Sequence, residues 1–424
     1  MKIFYDFISQ EIFRDRSHQQ AARVGQRWRN AIVWGTNVFR AALARGLSPR
    51  LRIVVVALKR LVVPRVIPTI CLSVIALSYV AGHETAHAAQ PFAKLNERAI
   101  DEYVVPNFEK LELAAVKLAT TLGKACDSPA GQLSAIQDDF KKTVLAWAGV
   151  EFLLLGPMGA EARAERFDFS PDPRRVVERQ MRRLLARRDA AVLGPQVLAK
   201  KSVAVQGLPA LQVLLTSRRH SILADTEDGR YRCRFAVSIA KNLENIARET
   251  VSGWSGANGW GAKMLNPGPD NLQYRSSAEA AAALVRALIT GLQLIQNRQI
   301  MPMIAAQSKP GKKPRLPFAR SGLSADYIAA SVISCKRYYE TLGLSVYIPE
   351  SESWMKQWIV DAFDRVAREG SAAVQSFADG QEPPERERKL RFLRFQVEGI
   401  RKLIGRKIAS VANLTIGFNE LDGD

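Results

Sequence analysis

At 424 residues, 47% of them apolar, the chain is too long and too hydrophobic to be disordered throughout, and it can bury a substantial core. Its 61 Lys and Arg stand against 41 Asp and Glu, a formal net charge of +20, yet no nucleic-acid recognition motif accompanies the excess. Four histidines are too few for a Ser-His-Asp triad to be read from the sequence, and there is no G-x-S-x-G elbow, phosphate-binding glycine loop or dinucleotide fingerprint.

The basic excess is uneven. Residues 1–88 hold 13 Lys and Arg against 4 Asp and Glu, nine of the twenty charges, and the remaining 48 basic and 37 acidic residues supply eleven. Lys59, Arg60 and Arg65 precede an apolar run, residues 66–82, and Ala86-His87-Ala88 then provides small residues at −3 and −1 of a cleavage site. Residues 66–88 therefore read as a secretory signal with the mature chain starting near Ala89. Without cleavage the same run would anchor the protein in the inner membrane, basic side in the cytoplasm. Residues 1–65 are then a basic extension, or lie upstream of the true start.

From Phe92 onward apolar residues recur with helical period and almost no alternating pattern, which predicts an all-α fold. Helices are expected near 93–123, 131–155, 173–188, 195–216, 229–253, 275–303, 324–343, 351–378 and 384–413. Leu133, Ile136, Phe140, Val144 and Trp147 form one stripe, and Leu390, Leu393, Val397, Ile400 and Ile404 another. A Gly, Asn and Pro-rich stretch, 254–274, divides a first helical bundle (89–253) from a second (275–424). A basic, Pro-rich loop, Lys309–Pro317, leads into Arg320, and Phe167–Pro173 is its counterpart in the first half. The Arg-rich stretches 163–188 and 386–407, interleaved with acids, read as solvated helix faces or as a docking surface.

Few motifs carry chemistry. His83-Glu84-Thr85-Ala86-His87 has zincin spacing, but it lies immediately before the predicted cleavage site and would be lost from the mature chain. Cys126, Cys233 and Cys335 remain after the leader, and in an oxidising compartment two of the three can pair. Their spacing fits no zinc pattern, and Cys335 within an amphipathic helix reads as a buried apolar residue. The terminus Gly417-Phe418-Asn419-Glu420-Leu421-Asp422-Gly423-Asp424 combines a turn signal with an aromatic, an amide and carboxylates able to converge on a cation or an Arg.

Four stretches, Phe167–Pro173, Val205–Leu211, Arg320–Ser324 and the terminal GFNELDGD, occur in an order that resembles the imelysin family, helical proteins of the bacterial envelope named for a peptidase and linked to iron uptake. The resemblance implies two bundle-like halves with a pocket between them and a Cys126–Cys233 disulfide. It also implies a metal motif, G-x-H-x-x-E, which falls here on Gly207, Pro209 and Gln212. Proline cannot ligate, and a neutral amide is a poor general base, so the motif's two chemical roles are absent. Ser170 and Ala319 stand where the family carries Trp, which removes aromatic walls.

The expected protein is periplasmic, binds a small ligand or a metal ion between its halves, serves iron or other metal acquisition, and is not a catalyst. Its expected contacts are Asp168, Asp172, Arg320, Ser321, Asn419, Asp422 and Asp424. Iron would suit such oxygen donors, whereas haem would require a His or Met axial ligand, and Met301 and Met303 beside Pro302 read as packing. A metal-dependent peptidase and an envelope docking protein with a membrane or protein partner are the alternatives. An equally bland role for Arg320 is a lock onto Asp422 or Asp424 that fixes the chain end.

Overall fold

A computed structural model describes residues 92–128, 132–172, 174–217, 219–307, 313–377 and 383–417. The leader, with its signal and zincin-like run, and the terminal Asn419, Asp422 and Asp424 lie outside the described residues. The described residues belong to one compact unit, Thr85–Asp424, and contain helices and no strands.

A helical turn, 92–98, and a π turn, Ala99–Val104, lead into α1 (Val105–Asp127). Leu111, Ala115, Leu118, Leu122 and Ala125 of α1 recur at three- and four-residue steps and are buried. α2 (Leu133–Ala148) follows the predicted stripe from Ile136 to Trp147, but Leu133 is 40% exposed because it opens the helix, a turn away from the core. α2 also stops at Ala148, and residues 149–155 form turns rather than the helix expected to 155.

Two shorter helices follow, α3 (Arg163–Phe167) and α4 (Val176–Arg187). The helix expected over 195–216 is broken into a four-residue piece, a 3-10 turn and α5 (Gly207–Leu215). Gly207 causes the last break: its φ is +79°, and a Cβ there would lie 2.6 Å from the carbonyl oxygens of Arg166 and Phe167. α6 (Glu227–Trp254) starts where the Thr226 hydroxyl accepts from the Gly229 amide at 3.0 Å.

The Gly-rich stretch expected as linker contains a short helix, α7 (Trp260–Leu265). α8 (Ser277–Leu294) is capped by Ser276, whose hydroxyl accepts from the Glu279 amide, while Glu279 reaches back to the Arg275 amide. A π turn, Ile295–Ile300, joins α8 to α9 (Met301–Gln307). The run Ser277–Gln307 is apolar and long enough to cross a membrane, but it is largely buried, as a core helix is. α10 (Ser324–Leu342), α11 (Trp354–Ser376) and α12 (Pro383–Lys402) complete the fold, α12 continuing through a π turn, Leu403–Ile408.

α1 packs against α2 and α6, α10 against α11, and α11 against α12; α2 also meets α10. One continuous core results, joining residues from Phe92 to Leu414. The Leu390, Leu393, Val397, Ile400, Ile404 stripe is buried in it, as are Met303 and Cys335. The Cys126–Cys233 disulfide ties the end of α1 to the first turns of α6 across 107 residues.

Candidate functional site

Where α2 ends and α3 begins its return, two carboxylates lie inside the protein. Glu151, 3% exposed, accepts from the Tyr327 hydroxyl at 2.6 Å and the Ser331 hydroxyl at 2.9 Å, one turn apart on α10. Gln299 donates to Ser331 at 3.1 Å and so extends the chain of bonds. Asp168, 4% exposed, accepts from the Trp147 indole at 3.0 Å and the Ser170 hydroxyl at 2.7 Å. Phe167 stacks on Trp147 at 4.7 Å between ring centroids and closes this corner to water.

Arg298 supplies the charge that both carboxylates need. It projects from the π turn after α8 and comes within 4.0 Å of Glu151; such turns re-aim a side chain without ending the helix. Burial pushes the carboxyl groups of Glu151 and Asp168 above their ordinary range, and Arg298 opposes that shift at both.

On its outer side Arg298 reaches a cleft of about 430 Å³ bounded by residues 169–172, Pro209 and Gln212 of α5, Pro302, and residues 314–320. The counterpart loops thus meet at one face. Asp172 spends both carboxylate oxygens on the Val176 and Val177 amides, each at 2.8 Å, and so caps α4. Gln212 donates to the Ser321 hydroxyl at 2.7 Å, and that hydroxyl donates to the Phe318 carbonyl at 3.0 Å. Arg320 is paired with Glu178, and the expected lock onto Asp422 or Asp424 falls outside the described residues.

The cleft brings together Asp172, Arg320, Pro209 and Gln212, with Ser321 bonded at its edge. Asp168 sits behind the wall and reaches it only through Ser170. Gly207 holds α5 against the 166–168 backbone rather than lining the cleft. Gly417, the first residue of the terminal motif and the last described one, borders a different cavity, near Arg286. Glu151, Arg298, Tyr327 and Ser331 were not foreseen. A lone Glu in the apolar run Ala146–Leu155 and polar residues interrupting an apolar helix at Gln296–Gln299 were the signals available.

Four arginines line the cleft (Arg175, Arg298, Arg315 and Arg320) against two carboxylates, Asp172 and Glu178. Among the described residues no group of three or more His, Cys, Asp or Glu could hold a metal ion. Pro209 and Gln212 do not repair that deficit, so the described residues do not fit a bare metal. They fit an oxyanion, for which guanidinium forks and a side-chain amide are suitable partners.

An all-helical fold whose counterpart loops and a Gly-initiated helix border an arginine-bearing cleft defines the structural class. The chain belongs to the imelysin family (Peptidase_M75), whose profile matches residues 104–394. It is similar in fold to the crystal structure of an imelysin-like protein from Psychrobacter arcticum 273-4, with 16% identity, a TM-score of 0.61, and coverage of 78% of this chain and 98% of that one. A protein designated an iron-regulated protein A precursor, from Parabacteroides distasonis ATCC 8503, is similar at 10% identity and a TM-score of 0.62, covering 77% and 96%. No curated protein matches the chain.

Proposed function

We propose that this protein is exported to the periplasm and binds a small carboxylate-bearing anion in the cleft between residues 169–172 and 314–320, serving iron or other metal acquisition without covalent catalysis. The observation that carries the reading is that the Arg175, Arg298 and Arg320 guanidinium groups and the Gln212 amide line one cleft. A metal would then arrive as part of an anionic chelate, because the described donors do not suit a naked ion. The link to iron draws on membership of the imelysin family and on a similar fold in a protein designated iron-regulated. Export draws on the signal-like segment 66–88 and on the Cys126–Cys233 bridge, which suits an oxidising compartment. Peptidase chemistry would need a general base at the motif, and Gln212 offers an amide already donating to Ser321.

Calorimetric titration with citrate and with ferric citrate tests the reading. Saturable binding of either, weakened about tenfold in Gln212→Leu, is expected from loss of one charge-assisted hydrogen bond. Absence of binding to both at millimolar concentration would sink it.

A further inference from the structure

A second cleft, of about 750 Å³, lies beyond the Glu178–Arg320 pair, which it shares as a wall with the first. Glu178, Arg182 and Leu185 line it from α4 at steps of four and three residues, so one face of that helix is turned into it. Leu185 is buried and anchors the face, while Arg187 and Arg188 extend from the helix end. The opposite wall is the start of α6, where Asp228 and Arg232 are one turn apart and bonded at 2.6 Å. Arg232 is only 8% exposed, a guanidinium fixed in place rather than a free surface charge.

The carboxylates are already engaged. Burial alone would raise the Asp228 carboxyl, but the Arg232 guanidinium and His220, 3.2 Å away, outweigh it and hold the group below its ordinary range. Asp228 therefore stays ionised and keeps Arg232 oriented. Glu178 is taken by Arg320, and Arg188 pairs outward with Glu227 at 2.7 Å. Arg182 and Arg187 have no carboxylate within salt-bridge distance among the described residues. Two uncompensated guanidinium groups beside a fixed one, in a concavity larger than a lone inorganic ion requires, suit a multiply charged tetrahedral group carried on a larger molecule.

We propose that this second cleft is a binding site for the phosphate group of a small organic phosphate or a lipid headgroup, with Arg182 and Arg187 as the contacting residues and Arg232 as the fixed third. It does not rest on the ligand of the first cleft. Glycerol 3-phosphate and vesicles of phosphatidylglycerol or phosphatidylcholine are the probes, titrated against the full protein and the double variant Arg182→Gln/Arg187→Gln. Both substituted side chains are exposed, so the melt should not move. The expected result is saturable binding of glycerol 3-phosphate that weakens at least tenfold in the double variant and declines with added salt. Binding of phosphatidylglycerol vesicles alone, with the same dependence on both arginines, would support the site and assign its phosphate to the membrane. Citrate binding in the first cleft should stay within twofold in the double variant, which separates the two sites. Wild-type protein that binds neither probe, or a double variant that binds as well as wild type, would overturn the proposal.

Discussion

Glu151 carries an acid group into the interior with two hydroxyl donors and only a distant guanidinium, and the consequence is a defined pH dependence. The groups facing it are Tyr327, Ser331, Arg298 and, by its field, Asp168. Burial raises its native pKa above the unfolded value of about 4.3. Between those two values the native state binds more protons than the unfolded chain, so stability falls as pH rises through the window and levels off above it. Asp168 contributes with the same sign. Half-buried acids with lowered pKa, such as Asp228 and Glu398, act in the opposite direction, so the informative quantity is the difference between variants. Glu151→Gln keeps the shape and removes the titration. Urea melts from pH 4 to 8 should show wild type losing stability relative to this variant as pH rises, and a constant difference across the range would refute the assignment. Removing the guanidinium acts more severely: Arg298→Ala leaves two buried carboxylates without their cation and should cost about 3–5 kcal/mol at neutral pH in the same melts.

The elements were legible where a repeating apolar face met a cap, and illegible where a single backbone contact intervened. α6, α10 and α11 begin and end within three residues of where their stripes and punctuation predict. The 195–216 segment looks equally helical in sequence, yet it breaks at Gly207, because the partner backbone of residues 166–167 comes from the end of α3, which no local pattern announces. The π turn that aims Arg298 is hidden for a similar reason, since an extra residue in a helical turn leaves the surrounding apolar periodicity almost intact. Of the candidate site, the 167–173 and 309–317 loops were read as counterparts, but the bond from Gln212 to Ser321 was not anticipated. Asp168 was anticipated, but Glu151, Arg298, Tyr327 and Ser331 were missed because they gain their meaning from side chains over a hundred residues away. Gly207 also offers a direct test of how α5 is seated. Gly207→Ala would force both a strained φ and a Cβ into two carbonyl oxygens, so a loss of at least about 1–3 kcal/mol is expected in denaturant melts. Because α5 carries Pro209 and Gln212 into the cleft, citrate affinity should fall as well; an unchanged melt would show that α5 does not depend on this approach.

Among the described residues one core joins helices before the Gly-rich stretch to helices after it, so a local constraint has a global effect. The Cys126–Cys233 bridge is the strongest such constraint. α1 and α6 pack along their length, and the bridge pins the end of one to the start of the other while closing a loop with a sequence separation of 107 residues. Closing so long a loop removes much of the freedom of the unfolded chain, and loss of a native disulfide typically costs about 2–5 kcal/mol. Cys335 cannot substitute as a partner without unfolding, because it is buried in the core far along the sequence, beside Gly291. The double variant Cys126→Ser/Cys233→Ser should therefore unfold at lower denaturant concentration than wild type by an amount in that range, with a larger denaturant dependence, since its unfolded chain is free to expand. Wild type treated with reductant should converge on the variant's curve. If the reduced protein instead keeps the oxidised midpoint, the α1–α6 packing alone holds the two helix ends together, and the bridge adds nothing to stability.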